Sequence, residues 1–109
     1  MDIELPLDFK EFLKLLNAKK VRYLLIGGYA VGYHGYPRAT NDMDVWIAVH
    51  PDNAKRIVKV LREFEESYAS RIVDILDGVE VNIIDLAHLK ANKKAAGRLK
   101  DLADLENLP

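Results

Sequence analysis

Apolar residues in this chain alternate between helical and extended spacing. Phe9, Phe12, Leu13 and Leu16 recur on one helical face. Leu7-Asp8-Phe9-Lys10-Glu11-Phe12 reads as the start of that helix. Asp8 would cap it, Glu11 takes the third helical position, and Leu7 staples onto Phe12. The pattern fades at Ala18-Lys19-Lys20. The run Tyr23-Leu24-Leu25-Ile26 follows, predicting a buried strand from about Arg22 to Ile26 that Gly27-Gly28 ends. A short helix over Tyr29 to Tyr33 comes next. Gly35-Tyr36-Pro37-Arg38 is a turn, and a second strand spans about Asp42 to Val49.

Pro51 opens another helix, whose apolar stripe is Ile57, Val58, Leu61 and Phe64. Ile72–Leu76 and Val79–Ile84 form a hairpin about Asp77-Gly78. In that register Leu76 faces Val79 and Asp74 faces Val81. Asp74 thus interrupts an apolar face made by Ile72, Leu76, Val79, Val81 and Ile83. Asp85 would cap a helix from Leu86 to about Ala96, which Gly97 stops. A last short helix holds Leu102, Leu105 and Leu108. Helices flanking a mixed β-sheet predict an α/β or α+β fold.

At 109 residues the chain is expected to form one domain, 1–109, with a single core. The apolar share of 50% suffices for such a core. A formal net charge of −1 excludes a global basic field that would draw nucleic acid or membrane. No cysteine is present, which excludes disulfides and thiolate chemistry. Met1-Asp2-Ile3-Glu4 lacks the features of a secretory leader, and no apolar run approaches the roughly 20 residues of a membrane span. A cytoplasmic location without membrane attachment is the default expectation.

The candidate chemistry lies where the first two strands meet their loops. Asp42-Met43-Asp44 opens the apolar run Val45-Trp46-Ile47-Ala48-Val49. On a strand, alternate residues share a face, so both carboxylates project together and Met43 points away. Adjacent carboxylates repel unless a cation lies between them. Magnesium suits the pair, because one or two carboxylates plus phosphate oxygens commonly hold it. Gly27 and Gly28 let backbone approach a phosphate closely. Either motif alone also fits a plain turn or a cap-like acid. Both in order, each tied to a strand, point to a metal-assisted site for a nucleoside triphosphate.

At these residues the chain resembles a minimal nucleotidyltransferase of the DNA polymerase β-like superfamily. The signature is a strand, Gly-Gly, a short helix, then Asp-x-Asp on the next strand. Leu25-Ile26-Gly27-Gly28-Tyr29-Ala30-Val31 and the stretch from His34 to Asp44 match it. The stretch Asn92-Lys93-Lys94-Ala95-Ala96-Gly97-Arg98-Leu99-Lys100-Asp101-Leu102-Ala103-Asp104-Leu105 resembles one prokaryotic branch. The resemblance implies a mixed sheet with the site at its edge, Gly27 and Gly28 facing the triphosphate, and Asp42 and Asp44 holding magnesium. It implies nucleotidyl transfer to an acceptor that is a protein, an RNA or a small molecule. It also allows a role in a toxin–antitoxin pair. The two-stranded hairpin and small core are compatible with a homodimer.

Two departures stand out. The family's third carboxylate lies on a later strand, and this chain passes almost directly from Leu61-Arg62-Glu63-Phe64 to the hairpin. Asp74 is the substitute to weigh, against an edge residue satisfied locally. Tyr29 stands where many members have Ser, which favours a core or cleft role. The rival reading is therefore a non-catalytic nucleotide-binding or protein-interaction module, or a simplified scaffold. Arg38 and Thr40, just before the acid pair, are nucleotide-binding candidates; Arg38 either clamps phosphate or pairs with a nearby acid. Lys93, Lys94, Arg98 and Lys100 are a solvated helix face or a contact for triphosphate or nucleic acid, with Asp101 and Asp104 close enough to neutralise them. His34 and His50 are too far apart to suggest zinc, and His88 is expected to face solvent. Trp46 is either a pocket floor or a core residue.

Overall fold

The computed structural model describes residues 3–47 and 54–109, with only the helical backbone described over 54–61. The described elements run α1 (Leu7–Ala18), β1 (Tyr23–Ile26), α2 (Gly27–Tyr33), β2 (Asp44–Ile47), α3 (Ala54–Ala69), β3 (Ile72–Leu76), β4 (Val79–Ile83), α4 (Leu86–Ala96) and α5 (Leu99–Asn107). The four strands make one mixed sheet in the order β2-β1-β4-β3. β1 is antiparallel to β2 and parallel to β4, and β3 and β4 form the hairpin. This is the expected α+β architecture. The register predicted from Asp77-Gly78 is found, with Leu76 opposite Val79 and Asp74 opposite Val81.

Strand alternation divides the apolar residues between two faces. Tyr23 and Leu25 of β1 and Val79, Val81 and Ile83 of β4 join Leu13 and Leu16 of α1 and Ala30 and Val31 of α2 in the main core. On the opposite face Leu24 lies beside Trp46, whose ring meets Phe64 of α3 edge-on at 5.1 Å. Both Leu24 and Phe64 are buried. Of the predicted α3 stripe, Phe64 is confirmed; Ile57, Val58 and Leu61 lie outside the described side chains, as do Pro51, His50 and the predicted end of β2 at Val49.

Three local expectations are corrected. α1 begins at Leu7, with Pro6 in the cap position, so Asp8 sits within the first turn and Leu7, 73% exposed, is no staple. Proline there forgoes a side-chain cap, and the early acid favours the positive helix start instead. Asp85 does precede α4, but its carboxylate binds the His88 ring rather than capping the helix. α5 inverts its expected polarity: Asp101 and Asp104 are buried, whereas Leu99 and Leu102 are exposed and only Leu108 joins the core. The cations described below explain this inversion.

Candidate functional site

The glycine pair occupies the junction of β1 and α2, and the helix begins at Gly27, two residues earlier than the Tyr29 start expected from the sequence. Gly27 has φ +68°, a conformation that L side chains rarely adopt, and a β-carbon there would run into the Asp44 carboxylate. A β-carbon on Gly28 would stand 3.0 Å from both Cβ and Oγ1 of Thr40. Both glycines are thus required by the segment that carries the acids. That segment is shaped by Thr40, whose hydroxyl donates to the Asp42 carbonyl at 3.1 Å and accepts from the Asp42 N–H at 3.4 Å.

β2 begins at Asp44, so Asp42 lies in the Thr40 turn and not on the strand. The expected placement of both acids on one strand face is therefore corrected, because the turn and not the strand period directs Asp42. The two carboxylates nonetheless line one cleft of about 460 Å³, together with Gly27, Gly28, Arg38 and Thr40. Asp42 and Asp44 are exposed, and among the described residues neither takes part in an ion pair.

The facing wall is basic and comes from the C-terminal helices. Lys93, Arg98 and Lys100, with Asn92, line the same cleft. Behind them a buried charge network ties three segments together. Arg38 donates from Nε and Nη2 to Asp104 at 2.9 and 3.0 Å. Lys93 Nζ bridges Asp101 at 3.1 Å and Asp104 at 2.9 Å. Arg98 Nε donates to Asp101 at 2.7 Å. Three cations face two carboxylates, so the network retains one positive charge. Buried carboxylates need such partners, which is why α5 turns its acids inward.

Titration follows from these contacts. The hydrogen bond from Arg98 holds Asp101 at a pKa of about 2, with Lys93 adding to it against the opposing effect of burial. Burial pushes Asp104 up, but the bonds from Lys93 and Arg38 outweigh it and keep its carboxyl below the usual range. Asp101, and more weakly Asp44 across the cleft, raise the Arg98 guanidinium above its ordinary value.

Of the open alternatives, Arg38 takes the acid partner along one guanidinium edge while still lining the cleft. Within the basic run, Lys93 and Arg98 are neutralised by Asp101 and Asp104, as their proximity in sequence suggested, while Lys94 stays exposed. Asp74 lies on β3, at the sheet edge opposite β2, and does not line the cleft. Tyr33 donates to it at 2.7 Å and the Ile75 N–H at 2.8 Å; these bonds, the tyrosine's first, lower its pKa. It is locally satisfied, the alternative weighed against a metal role. Tyr29 packs edge-on against Phe9 and lines an adjoining cleft of about 350 Å³. Its hydroxyl is pushed up by burial.

His34 Nε2 meets the Ile84 carbonyl at 2.7 Å, a structural contact. His88 is corrected: it binds Asp85 instead of facing solvent freely, and it lines a further cleft with Trp46. Sequence reasoning missed that cleft, since Ser67, Glu63 and Glu66 on α3 carry no motif, and only the packing of α3 beside α4 brings them to Trp46. No described helix is long and apolar enough to cross a membrane. No protein-family model matches this chain, and a comparison with curated proteins found no match.

Proposed function

We propose that the cleft between the acid pair and the basic wall binds a nucleoside triphosphate with magnesium, and that the chemistry is nucleotidyl transfer. The supporting observation is the convergence of Gly27, Gly28, Asp42 and Asp44 with Arg38, Lys93, Arg98 and Lys100 on one cleft. The donor set fits a hard cation: two exposed carboxylates without competing ion pairs among the described residues, leaving further positions for water and phosphate oxygens. Asp42 and Asp44 would hold the ion. Bound there, magnesium supplies charge neutralisation and alignment of the attacking and leaving oxygens. The chain's own contribution is positioning and preorganised charge. Lys100 and the free edges of Arg38 and Arg98 would meet phosphate oxygens. Gly27 and Gly28 keep side chains out of the cleft mouth.

One observation favours a second reading, nucleotide binding without transfer. Among the described residues no third carboxylate lines the cleft, and Asp74 lies at the far sheet edge. The test is calorimetric titration with each of the four ribonucleoside triphosphates plus magnesium, followed by measurement of pyrophosphate release with protein, RNA and small-molecule amine acceptors present, so that the nucleotidyl group passes to an acceptor as pyrophosphate leaves. Binding and release, both lost in Asp42→Asn/Asp44→Asn, are the expected result. Binding without release selects the second reading. No binding of any triphosphate overturns both.

A further inference from the structure

The further cleft, about 290 Å³, opens where β2, α3 and α4 meet. Its walls carry Trp46, Glu63, Glu66, Ser67, His88 and Asn92. Glu63 and Glu66 are exposed, and among the described residues neither is ion-paired; Glu65 between them is the one that binds Arg22, at 2.6 Å. Among the described residues no lysine or arginine lines this cleft.

Ser67 is an independent sign of a ligand. It is only 4% exposed and has no hydrogen-bond partner among the described residues. Among the described residues no fully hidden side-chain polar atom lacks a partner, so its hydroxyl keeps its contact with solvent through the cleft it lines. The Asp85 carboxylate accepts from His88 Nδ1–H, which leaves Nε2 as the ring nitrogen without a partner among the described residues. The cleft thus presents two carboxylates, a hydroxyl and an imidazole nitrogen beside an indole. A ligand suited to it donates hydrogen bonds, carries positive charge, and has an apolar stem to lie along Trp46, Ala91 and Ala95.

This cleft shares a lining residue with the cleft of the acid pair. Asn92 lines both, and Trp46 follows Asp44 by two residues on the same face of β2. We infer that the Trp46 cleft binds an amine or guanidinium group. Resting on the triphosphate reading of the neighbouring cleft, we assign that group to the acceptor of nucleotidyl transfer. A nucleobase suits the cleft less well. It is neutral, and its ring-nitrogen acceptors would confront the two carboxylates.

Trp46 is the only tryptophan, so its fluorescence reports on this cleft directly. The experiment titrates the full chain with butylguanidinium at low salt, without nucleotide or metal. Butylurea serves as the uncharged isostere. A saturable fluorescence change with butylguanidinium, absent with butylurea, is expected. In Glu63→Gln/Glu66→Gln the dissociation constant should rise roughly fivefold or more, as removal of two partly screened charges implies. Circular dichroism verifies that this surface variant is folded. Equal responses to both probes, an unchanged constant in the variant, or displacement of butylguanidinium by adenosine would overturn the inference. Magnesium–triphosphate binding is measured separately on the same variant and should persist. Its loss in the parent would sink the triphosphate reading while leaving the cation site standing.

Discussion

Two aspartate pairs flank the same cleft under opposite conditions. Asp101 and Asp104 lie behind its basic wall, buried and shared among Arg38, Lys93 and Arg98. Asp42 and Asp44 line its mouth, exposed and without an ion pair among the described residues. The first pair has no capacity left for a ligand, because burial without those cations would be prohibitive. The second pair costs little in solution and keeps its oxygens available. The difference separates acids that hold the fold from acids that can bind. Sequence spacing alone would rank them alike, since each pair lies within a few residues beside basic side chains.

Breaking the buried network should give the largest effect. Lys93→Ala removes the cation that bridges both acids and should cost about 3 kcal/mol in urea denaturation, as for other disrupted buried pairs. A loss below about 1 kcal/mol would show that Arg38 and Arg98 suffice. The network also predicts an acid response. Asp101, with a folded pKa of about 2 against an ordinary 3.8, contributes stability that is present above the ordinary value and lost as pH falls through about 2. Asp104, also lowered, acts in the same direction. Urea midpoints of the parent should fall over that window, and those of Asp101→Asn/Asp104→Asn should fall less.

A medium effect is expected where the glycines meet the acid-bearing segment. Gly28→Ala should cost about 1–2 kcal/mol through overpacking against Thr40, before any nucleotide is added. Adding Thr40→Gly should recover part of that loss by making room. No recovery would mean that Gly28 is needed for another reason, such as close approach of a phosphate.

The exposed pair should behave oppositely to the buried one. Asp42→Asn/Asp44→Asn should change metal-free stability by no more than about 0.5 kcal/mol, as surface substitutions do. It should abolish the gain that magnesium gives the parent on heating, since a ligand of the folded state alone stabilises by mass action. Equal magnesium response in parent and variant would refute the metal assignment. The smallest effect belongs to Asp74→Asn, which removes an acceptor from Tyr33 at the far sheet edge. Magnesium–triphosphate affinity should be unchanged, and a marked loss would bring Asp74 back as a site residue.

The mixed α+β architecture, the hairpin register about Asp77-Gly78, the stop at Gly97 and the residues of the cleft mouth were all legible in the chain. Each rests on local rules: period, turn chemistry, or a motif confined to neighbouring elements. What tertiary structure alone decided is how distant segments meet. Leucine spacing in α5 predicts an apolar face there, yet Asp101 and Asp104 are the buried residues, because Lys93 and Arg38 arrive from α4 and the loop before β2. Asp74 reads as a break in an apolar face until Tyr33 of α2 is seen to satisfy it. Glu63, Glu66 and Ser67 acquire a common cleft with Trp46 only when α3 packs beside α4. Local periodicity encodes which side of an element turns inward when apolar burial dominates. It cannot encode a buried charge whose partners lie on other elements, because the stabilising energy exists only once those elements are assembled.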